Sequence, residues 1–352
     1  MIELRSDTLT QPTPEMRQAI ANAVVGDEQK REDPTVLELE RRAAELLGQE
    51  ESVFLPTATM ANQIALRILT EPGDVLIAEE HSHVFIAEQG GPAAHSGLFT
   101  RPLPGFAGRF SPEQIRATMT DPRSGHEPVT KLVSLENTHN SAGGRVWPRA
   151  ELEALVETCR ELGLRVHLDG ARIFNAAVAS GVPAAELARP FDTVQICLSK
   201  GLGCPLGAVV AGSAELMVKA RRAKHLFGGA MRQAGIVAAA GVYALEHHVE
   251  RLADDHARAR RLAEGLAATG VAIDFDSVET NFVQLDVAPY GLTKWEALEQ
   301  LKQAGVGLSS TIHPTKLRAV THLDVTDEDI ERAIELIPQA LGVTRTAALP
   351  AR

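Results

Sequence analysis

Short apolar segments alternate with helix-like segments over most of the first 247 residues, and this alternation restricts the possible folds more than any other feature of the sequence. A strand, a helix and a further strand in succession are typical of a mostly parallel sheet that has helices on both faces. The sequence therefore predicts an α/β fold built on a large sheet. The predicted strands are residues 52–56, 74–79, 131–137, 165–170 and 193–199.

Helical segments lie between and after these strands. One extends from the first strand to Leu69, and residues 148–163 have an amphipathic pattern that begins at Pro148. The apolar run from Ala234 to Leu245 is too short to span a bilayer, so it indicates a buried helix and no membrane association.

The pattern changes after about residue 247, which predicts a second, smaller α+β domain. The predicted organisation is a large domain with the N-terminal segment (1–247), a small C-terminal domain (248–341) and a frayed tail (342–352). The segments predicted in the small domain are a connecting helix at 251–270, strands at 271–275 and 281–287, a helix at 293–304, an apolar segment at 317–325 and a helix that begins after Thr326.

Charge and cysteine content restrict the class of protein. The net charge of −11 argues against a nucleic-acid-binding surface. The first ten residues lack the basic and then apolar layout of a secretory signal, so a cytoplasmic location is expected. The cysteines at 159, 197 and 204 have no metal-ligand spacing and are expected to be reduced thiols, and no metal site is predicted.

Polar residues follow each predicted strand at its carboxyl end, where ligands bind in open α/β sheets. Because these ends meet at one edge of the sheet, we expect the side chains to form one site. They are Thr57, Thr59, His81, His83, Glu136, His139, Asp169, Arg172, Ser199 and Lys200.

Lys200 is the charged residue of an otherwise uncharged segment, 194–212. A lysine held in a dry site among small residues can act as an amine nucleophile toward carbonyl groups. The glycines at 201, 203 and 207 are expected to let a bulky group approach it. The alternative is a surface lysine in a loop.

Asp169 ends an apolar strand about thirty residues before Lys200. Pyridoxal phosphate needs a carboxylate that keeps its pyridine nitrogen protonated and a lysine for the Schiff base, and these two residues supply both. For Asp169 alone, the N-cap of the following helix is the favoured interpretation. The pair together predicts a pyridoxal-phosphate site.

Other residues at the strand ends fit such a site. Arg172 could hold a substrate carboxylate bidentately, or it could pair with a neighbouring carboxylate. The helix start at Ala58 and Thr59 could bind the phosphate, although these residues also suit an ordinary helix cap. His83 could lay its ring over the cofactor ring.

Ordered motifs over about residues 2–341 carry a family resemblance, and the pair HLDGARIFNA and SKGLG is the most specific. The others are RSDTLTQPTPEMRQAI, DPTVLELE, TATMANQ, EHSHVF, LENTHNSAGG, GGAMRQAG, TNFV and RAVTHLDV. On these motifs the sequence resembles the L-threonine aldolase family, a branch of the fold-type I pyridoxal-phosphate enzymes related to β-eliminating lyases. The resemblance implies a large, mostly parallel sheet domain and a smaller C-terminal α+β domain.

The resemblance also implies how the cofactor is held. Lys200 would form the Schiff base, Asp169 would pair with the pyridine nitrogen, and His83 would stack on the ring. Arg232 would reach the phosphate of a neighbouring subunit, which implies at least a dimer and, in this family, commonly a dimer of dimers.

The same resemblance assigns the substrate contacts. Ser6, Arg172 and Arg318 would bind the amino-acid carboxylate. His126 and Glu88 would lie near the substrate hydroxyl. The base that takes the hydroxyl proton stays open among His83, His126 and a water held by Glu88.

Three positions depart from the family pattern. The family usually has glycine where Ala58 stands, and a methyl group would crowd the phosphate loop if that residue needed positive φ. The family often has lysine where His225 stands, just after Lys224. Cys204 replaces a common alanine, and we expect a packing role for it.

The activity that the resemblance implies is reversible retro-aldol cleavage of L-threonine, L-allo-threonine and other L-β-hydroxy-α-amino acids to glycine and an aldehyde. The alternatives are another reaction on the same fold, β-elimination or aminotransfer, and a pyridoxal-phosphate-binding protein without turnover. The set of carboxylate-binding residues argues against the latter. A nucleotide-binding module would need a glycine-rich fingerprint after the first strand, and the sequence has none there.

Overall fold

The computed structural model describes residues 1–120 and 123–343, in which strands and helices alternate as predicted. The strands are β1 (Ile2–Glu3), β2 (Glu51–Leu55), β3 (Val75–Glu79), β4 (Phe99–Leu103), β5 (Thr130–Glu136), β6 (Arg165–Asp169), β7 (Thr193–Cys197), β8 (Ala208–Gly212), β9 (Phe282–Asp286), β10 (Val306–Gly307), β11 (Ser309–Ser310) and β12 (Lys316–Val320). The helices are α1 (Pro14–Ala21), α2 (Pro34–Leu47), α3 (Ala58–Leu69), α4 (His83–Ile86), α5 (Gly91–Ser96), α6 (Pro112–Thr118), α7 (Arg149–Glu161), α8 (Ile173–Ser180), α9 (Ala184–Ala188), α10 (Ala214–Leu226), α11 (Gly235–His247), α12 (Leu252–Ala268), α13 (Lys294–Gln303) and α14 (Asp327–Ala340).

A seven-stranded sheet forms the centre of the large domain, in the order β2-β8-β7-β6-β5-β3-β4. In the described part of the chain, β8 is the one strand of this sheet that runs opposite to the others, so the sheet is mostly parallel, as predicted. Alternate residues of the strands enter two separate apolar clusters, one on each face, which also contain helix residues. Burial on both faces explains why these strands appear in the sequence as continuous apolar runs.

The five predicted strands are confirmed as β2, β3, β5, β6 and β7. Two strands of the sheet, β4 and β8, are not among those predicted. Strand β4 lies at the sheet edge with most of its residues exposed or half-buried, so it lacks an apolar run. Strand β8 is apolar, but it directly follows a glycine-rich loop, so the sequence does not show where the strand begins.

The predicted helices are also present, with ends shifted by a few residues. The amphipathic segment 148–163 forms α7, and Pro148 is its N-cap, immediately before the first helical residue. The apolar run at 234–245 forms α11, which packs against α1 and α2. The long connecting segment forms α12.

The small domain is built on the antiparallel sheet β11-β12-β9, and Thr326 caps its last helix, as predicted. The predicted strand at 271–275 is wrong. Only Ile273 forms a bridge, to Leu285, and the chain then enters a short 3-10 turn at Phe275–Ser277. Aspartate and serine in this segment favour the turn over a strand.

The N-terminal segment links the two domains. Strand β1 pairs with β10, and Ile2 and Leu4 are buried in the core of the small domain. The Val320 N–H donates to the Leu4 carbonyl oxygen at 2.8 Å. Ser6 and Asp7, which follow directly, therefore lie where the two domains meet.

Within residues 1–120 and 123–343, no helix is both long enough and apolar enough to cross a bilayer. Most of the predicted frayed tail, residues 344–352, lies outside the described residues. The two described residues of that segment continue from α14, and the Val343 N–H donates to the Pro338 carbonyl oxygen at 2.9 Å.

Candidate active site

A cavity of about 250 Å³ lies at the carboxyl ends of the central strands. His81 and His139, two of the polar residues predicted at these ends, line a different cleft between the domains. The other predicted strand-end residues line the cavity together: Thr57, Thr59, His83, Glu136, Asp169, Arg172, Ser199 and Lys200. This cavity is the candidate active site.

Lys200 follows β7 and lines the cavity, partly buried. Gly203 and Gly207 have φ of +78° and +118°, which residues with a Cβ rarely adopt. At Gly207 a Cβ would also lie 2.8 Å from the Phe54 ring. The first requirement for these two glycines is thus the tight turn from β7 into β8, rather than the access for a bulky group expected from the sequence.

Asp169 ends β6, lines the cavity and is buried. Its carboxylate accepts hydrogen bonds from Asn62 Nδ2 at 2.7 Å, from the Ala171 N–H at 3.1 Å and from Gln195 Nε2. Burial raises the pKa of this carboxyl, but nearby positive charges, that of His83 first, outweigh burial and lower it. Among the described residues no cation forms an ion pair with this anion, which suits a protonated pyridine nitrogen as its partner.

His83 begins α4 and is held at two points. Its backbone N–H donates to Glu136 Oε2 at 2.7 Å, and its ring Nδ1 donates to Glu88 Oε1 at 2.8 Å. The Glu88 side chain is fully buried and also accepts from Asn62 at 2.7 Å and Gln63 at 2.6 Å. Burial lowers the pKa of His83, but the bond to Glu88 and the neighbouring carboxylates raise it overall. Glu88 therefore contacts the Nδ1 side of the His83 ring and sets the orientation and charge of that ring.

Replacing Glu88 by glutamine is expected to lower the pKa of His83, because the variant removes the negative charge bonded to Nδ1. If neutral His83 is the base, the acid limb of the pH profile of kcat/KM should move to lower pH, since less alkaline solution then suffices to deprotonate the ring. The control is Glu80→Gln, which changes an exposed carboxylate near the same loop. An acid limb that stays in place would assign the profile to another group.

Arg172 immediately precedes α8 and forms a buried ion pair with Asp7. Its Nε and Nη2 donate to the two Asp7 oxygens at 2.6 and 2.8 Å, and its Nη1 donates to Asn140 Oδ1 at 3.3 Å. This is the pairing with a neighbouring carboxylate that the sequence leaves open. The Nε–Nη2 edge is therefore already engaged, and bidentate substrate binding through it is not available in this arrangement.

The Asp7–Arg172 pair stays charged over a wide pH range. Burial raises the pKa of Asp7, but the charge and hydrogen bonds of Arg172, with smaller contributions from Lys200 and Arg318, lower it to about 2. Because the folded-state pKa is depressed, the stability that this carboxylate contributes is complete above its ordinary pKa of about 4. That contribution is lost as the pH falls toward 2.

Arg318 reaches the same region from β12 of the small domain. Its Nε donates to Ser309 Oγ at 2.8 Å and its Nη1 to Asn140 Oδ1 at 3.1 Å. Burial and the charge of Arg172 lower the pKa of Arg318, although a guanidinium remains charged in proteins. Ser6 lies one residue before Asp7, and its Oγ accepts from the Thr8 N–H at 3.2 Å.

The first turn of α3 borders the cavity. Thr57 caps the helix by accepting from the Met60 N–H at 3.1 Å, and Ala58 and Thr59 line the cavity. Ala58 is the first helical residue and is not among those with positive φ, so its methyl group causes no backbone strain. The free N–H groups of a helix start favour an anion such as a phosphate.

Of the predicted site residues, Ser6, Glu88 and Arg318 do not line the cavity, although Glu88 and Arg318 are bonded to residues that do. His126 and Arg232 lie apart from it in the single chain. His126 is exposed on the loop between α6 and β5. The Arg232 side chain is 62% exposed, with Nη1 3.1 Å from an Asp27 oxygen. Neither lines the cavity, so any contact of these residues with the site would need a second copy of the chain or a movement of the loop.

The other two residues that depart from the family pattern are His225 and Cys204. His225 is exposed at the end of α10. Lys224 is buried and donates to Glu28 and, at 2.7 Å, to the Phe54 carbonyl oxygen, so it is engaged within its own chain. Cys204 is buried in the main core, which fits the packing role expected for it, and all three cysteines are free thiols.

Among the described residues, the polar groups that line the cavity and were not predicted are Asn62, Thr138, Asn140 and Gln195, and Asp7 beside it was not predicted either. Asn140 lies just beyond a strand end, and Asn62 lies one helical turn after Thr59, so their positions could have been inferred from the pattern. Asp7 has no such local signal, because Arg172 lies 165 residues away in the sequence.

These residues fit pyridoxal phosphate. A buried carboxylate that no cation of residues 1–120 and 123–343 pairs with, a lysine and a free helix start all border one cavity. Each matches a different part of the cofactor, namely the pyridine nitrogen, the aldehyde and the phosphate.

The fold is that of the fold-type I pyridoxal-phosphate enzymes. The model of the β-eliminating lyase family matches residues 3–288. A probable low-specificity L-threonine aldolase of Arabidopsis thaliana is 40% identical over 337 residues, 94% of each chain. The low-specificity L-threonine aldolase of Escherichia coli K12 is 41% identical over 331 residues, covering 94% of this chain and 96% of its own.

A solved structure has the same fold. The structure of Leishmania major threonine aldolase superposes with a TM-score of 0.83 at 21% identity, covering 97% of this chain and 100% of that one. The chain thus belongs to the low-specificity L-threonine aldolase family, within the β-eliminating lyases.

Proposed function

We propose that this protein cleaves L-threonine and L-allo-threonine, and other L-β-hydroxy-α-amino acids, to glycine and an aldehyde in a reversible, pyridoxal-phosphate-dependent retro-aldol reaction. The observation that carries the proposal is that Lys200 and the ionised Asp169 line one cavity beside Arg172. The activity named for the Arabidopsis and Escherichia coli relatives supports the substrate class.

Lys200, Asp169, His83 and the first turn of α3 would hold pyridoxal phosphate, with Arg232 of a second copy as a further phosphate contact. When bound, the cofactor supplies an electron sink for the negative charge left at the substrate Cα. Asp169 would keep the pyridine nitrogen protonated, because a buried anion favours the charged form of a bonded partner.

Arg172, Arg318 and Ser6 would bind the substrate carboxylate and so fix the direction of the Cα–Cβ bond. Both guanidinium groups reach the same amide oxygen, that of Asn140, from opposite domains. A carboxylate held at that point would tie the small domain to the large one. Orientation of this kind lowers the barrier because fewer unproductive arrangements remain.

The base that removes the hydroxyl proton is proposed to be His83. Its Nδ1 donates to Glu88, so in the neutral ring Nε2 is the nitrogen that can accept a proton. The Glu88 carboxylate is fully buried and already accepts three side-chain hydrogen bonds, which disfavours it as the holder of a catalytic water. His126 remains a second candidate if a neighbouring subunit brings its loop to the site.

We also propose a cytoplasmic homotetramer, a dimer of dimers with its sites at subunit interfaces. The exposure of Arg232, outside the cavity of its own chain, is consistent with a contact to the phosphate of a partner. Lys224 is engaged with Glu28, so Arg232 would make this contact without the lysine that the family often supplies.

The decisive test uses the purified protein loaded with pyridoxal phosphate and incubated with L-threonine, L-allo-threonine or glycine. We expect acetaldehyde and glycine from both β-hydroxy amino acids, and no aldehyde from glycine alone. Release of ammonia and a 2-oxo acid would instead indicate β-elimination. Conversion of the cofactor to its pyridoxamine form by amino acid alone would indicate aminotransfer, and cofactor binding without any product would indicate a binding protein.

A further inference from the structure

Asp7 lies at the junction of three parts of the chain. It belongs to the N-terminal segment and is completely buried. Its two carboxylate oxygens accept from Arg172 of the large domain at 2.6 and 2.8 Å, and Asn281 Nδ2 of the small domain lies 3.5 Å from one of them. The side chain does not line the cavity, so it can affect a ligand there only through its neighbours.

The pairing with Asp7 decides which part of Arg172 faces the ligand. Nε and Nη2 are bonded to Asp7, and Nη1 is directed at Asn140 Oδ1. Nη1 of Arg318 donates to the same oxygen, at 3.1 Å compared with 3.3 Å for Arg172. Two cationic N–H groups thus converge on one acceptor oxygen at the edge of the cavity.

We propose that Asp7 is a positioning residue for recognition of the amino-acid carboxylate: it holds Arg172 so that its Nη1 and the Nη1 of Arg318 converge on one oxygen. In the present arrangement the Asn140 amide oxygen accepts from both, and a carboxylate oxygen of the substrate takes that role when it binds. This inference rests on the proposed function, because it assumes that the ligand is an α-amino acid.

The charges at the junction agree with this role. Asp7 neutralises one of two neighbouring guanidinium groups, so the group of three carries one net positive charge, which matches one carboxylate. A second effect follows from burial. A guanidinium that loses its buried partner is free to turn to another acceptor, and its Nη1 is then no longer directed at the ligand.

The simpler possibility is that Asp7 only ties the domains together. Carboxylate recognition can be separated from that role by comparing glycine with glycinamide, which has the same amine and lacks the carboxylate. Binding of each to the cofactor-loaded enzyme can be followed by calorimetry, which does not depend on turnover. A positioning role affects glycine alone, whereas a structural role affects both ligands.

For Asp7→Asn we expect the affinity for glycine to fall about 10-fold to 100-fold, the range for a lost charge-assisted contact. The affinity for glycinamide should change by less than about 2-fold, because it lacks the group that Arg172 contacts. The matched control is Asp324→Asn, which alters another aspartate that holds the N-terminal segment, through the Gln11 N–H at 2.7 Å. It should leave both affinities unchanged.

A second pair of variants covers the case in which Asp7→Asn does not fold. Arg172→Gln and the double variant Asp7→Asn/Arg172→Gln should both bind glycine weakly, and the double variant should bind it no more weakly than Arg172→Gln, because Asp7 acts through Arg172. The double variant also leaves no unpaired buried charge. A weaker glycine affinity in the double variant would overturn the proposal, as would equal losses for glycine and glycinamide, or no loss, in Asp7→Asn. None of these results depends on whether the wild-type protein releases acetaldehyde.

Discussion

Replacing Lys200 by alanine is expected to lower kcat/KM for L-threonine by on the order of 10³-fold or more, which corresponds to about 4 kcal/mol of transition-state stabilisation. Lys200 is the lysine that lines the cavity, so the variant removes the amine that attaches to the cofactor aldehyde. The side chain is only partly buried, and we expect little change in thermal stability. Acetaldehyde release and the visible absorption of the bound cofactor should be measured together.

The matched control is Lys219→Ala. Lys219 is an exposed residue of α10 that is bonded to Glu215 at 2.8 Å, and its removal should leave activity and absorption unchanged. Substantial turnover by the Lys200 variant, with the cofactor absorption retained, would show that another amine serves the reaction and would reject the assignment of this cavity.

The second large effect is expected for Asp169→Asn, which should lower kcat by about 10²-fold to 10³-fold, the range found when one preorganised electrostatic contact is removed. An amide cannot stabilise a protonated pyridine nitrogen as an anion does, so the cofactor would become a weaker electron sink. The same change weakens the hydrogen bonds that Asp169 accepts from Asn62 and Gln195. Affinity for pyridoxal phosphate should therefore fall as well.

A closely matched control exists in the small domain. Asp286 ends β9, as Asp169 ends β6, and its Oδ1 accepts from the Ala288 N–H at 3.0 Å in the same way that Asp169 accepts from Ala171. Asp286→Asn should leave kcat and cofactor affinity intact. Full activity in the Asp169 variant with normal cofactor binding would mean that the ring nitrogen has a different partner.

Much of the site could be inferred because it follows simple strand patterns. Asp169 and Lys200 each lie at or just after the carboxyl end of a buried strand, and parallel strands bring such ends together at one edge. His81 and His139 also come just after the carboxyl ends of strands, but they face the cleft between the domains. A one-residue difference in the loop after a strand is enough to change the direction of a side chain, and the pattern does not record it.

The α/β class, most of the strands and helices, and the pairing of a lysine with an aspartate in one cavity could be inferred from the amino-acid order, because these depend on local periodicity and on which residue follows each strand. Three contacts emerged only from the folded chain: Glu88 is bonded to His83, Asp7 holds Arg172, and Arg318 meets Arg172 at Asn140. Those contacts join residues from different strands, helices and domains. Their geometry depends on how the two domains and the N-terminal segment pack, which no local pattern encodes.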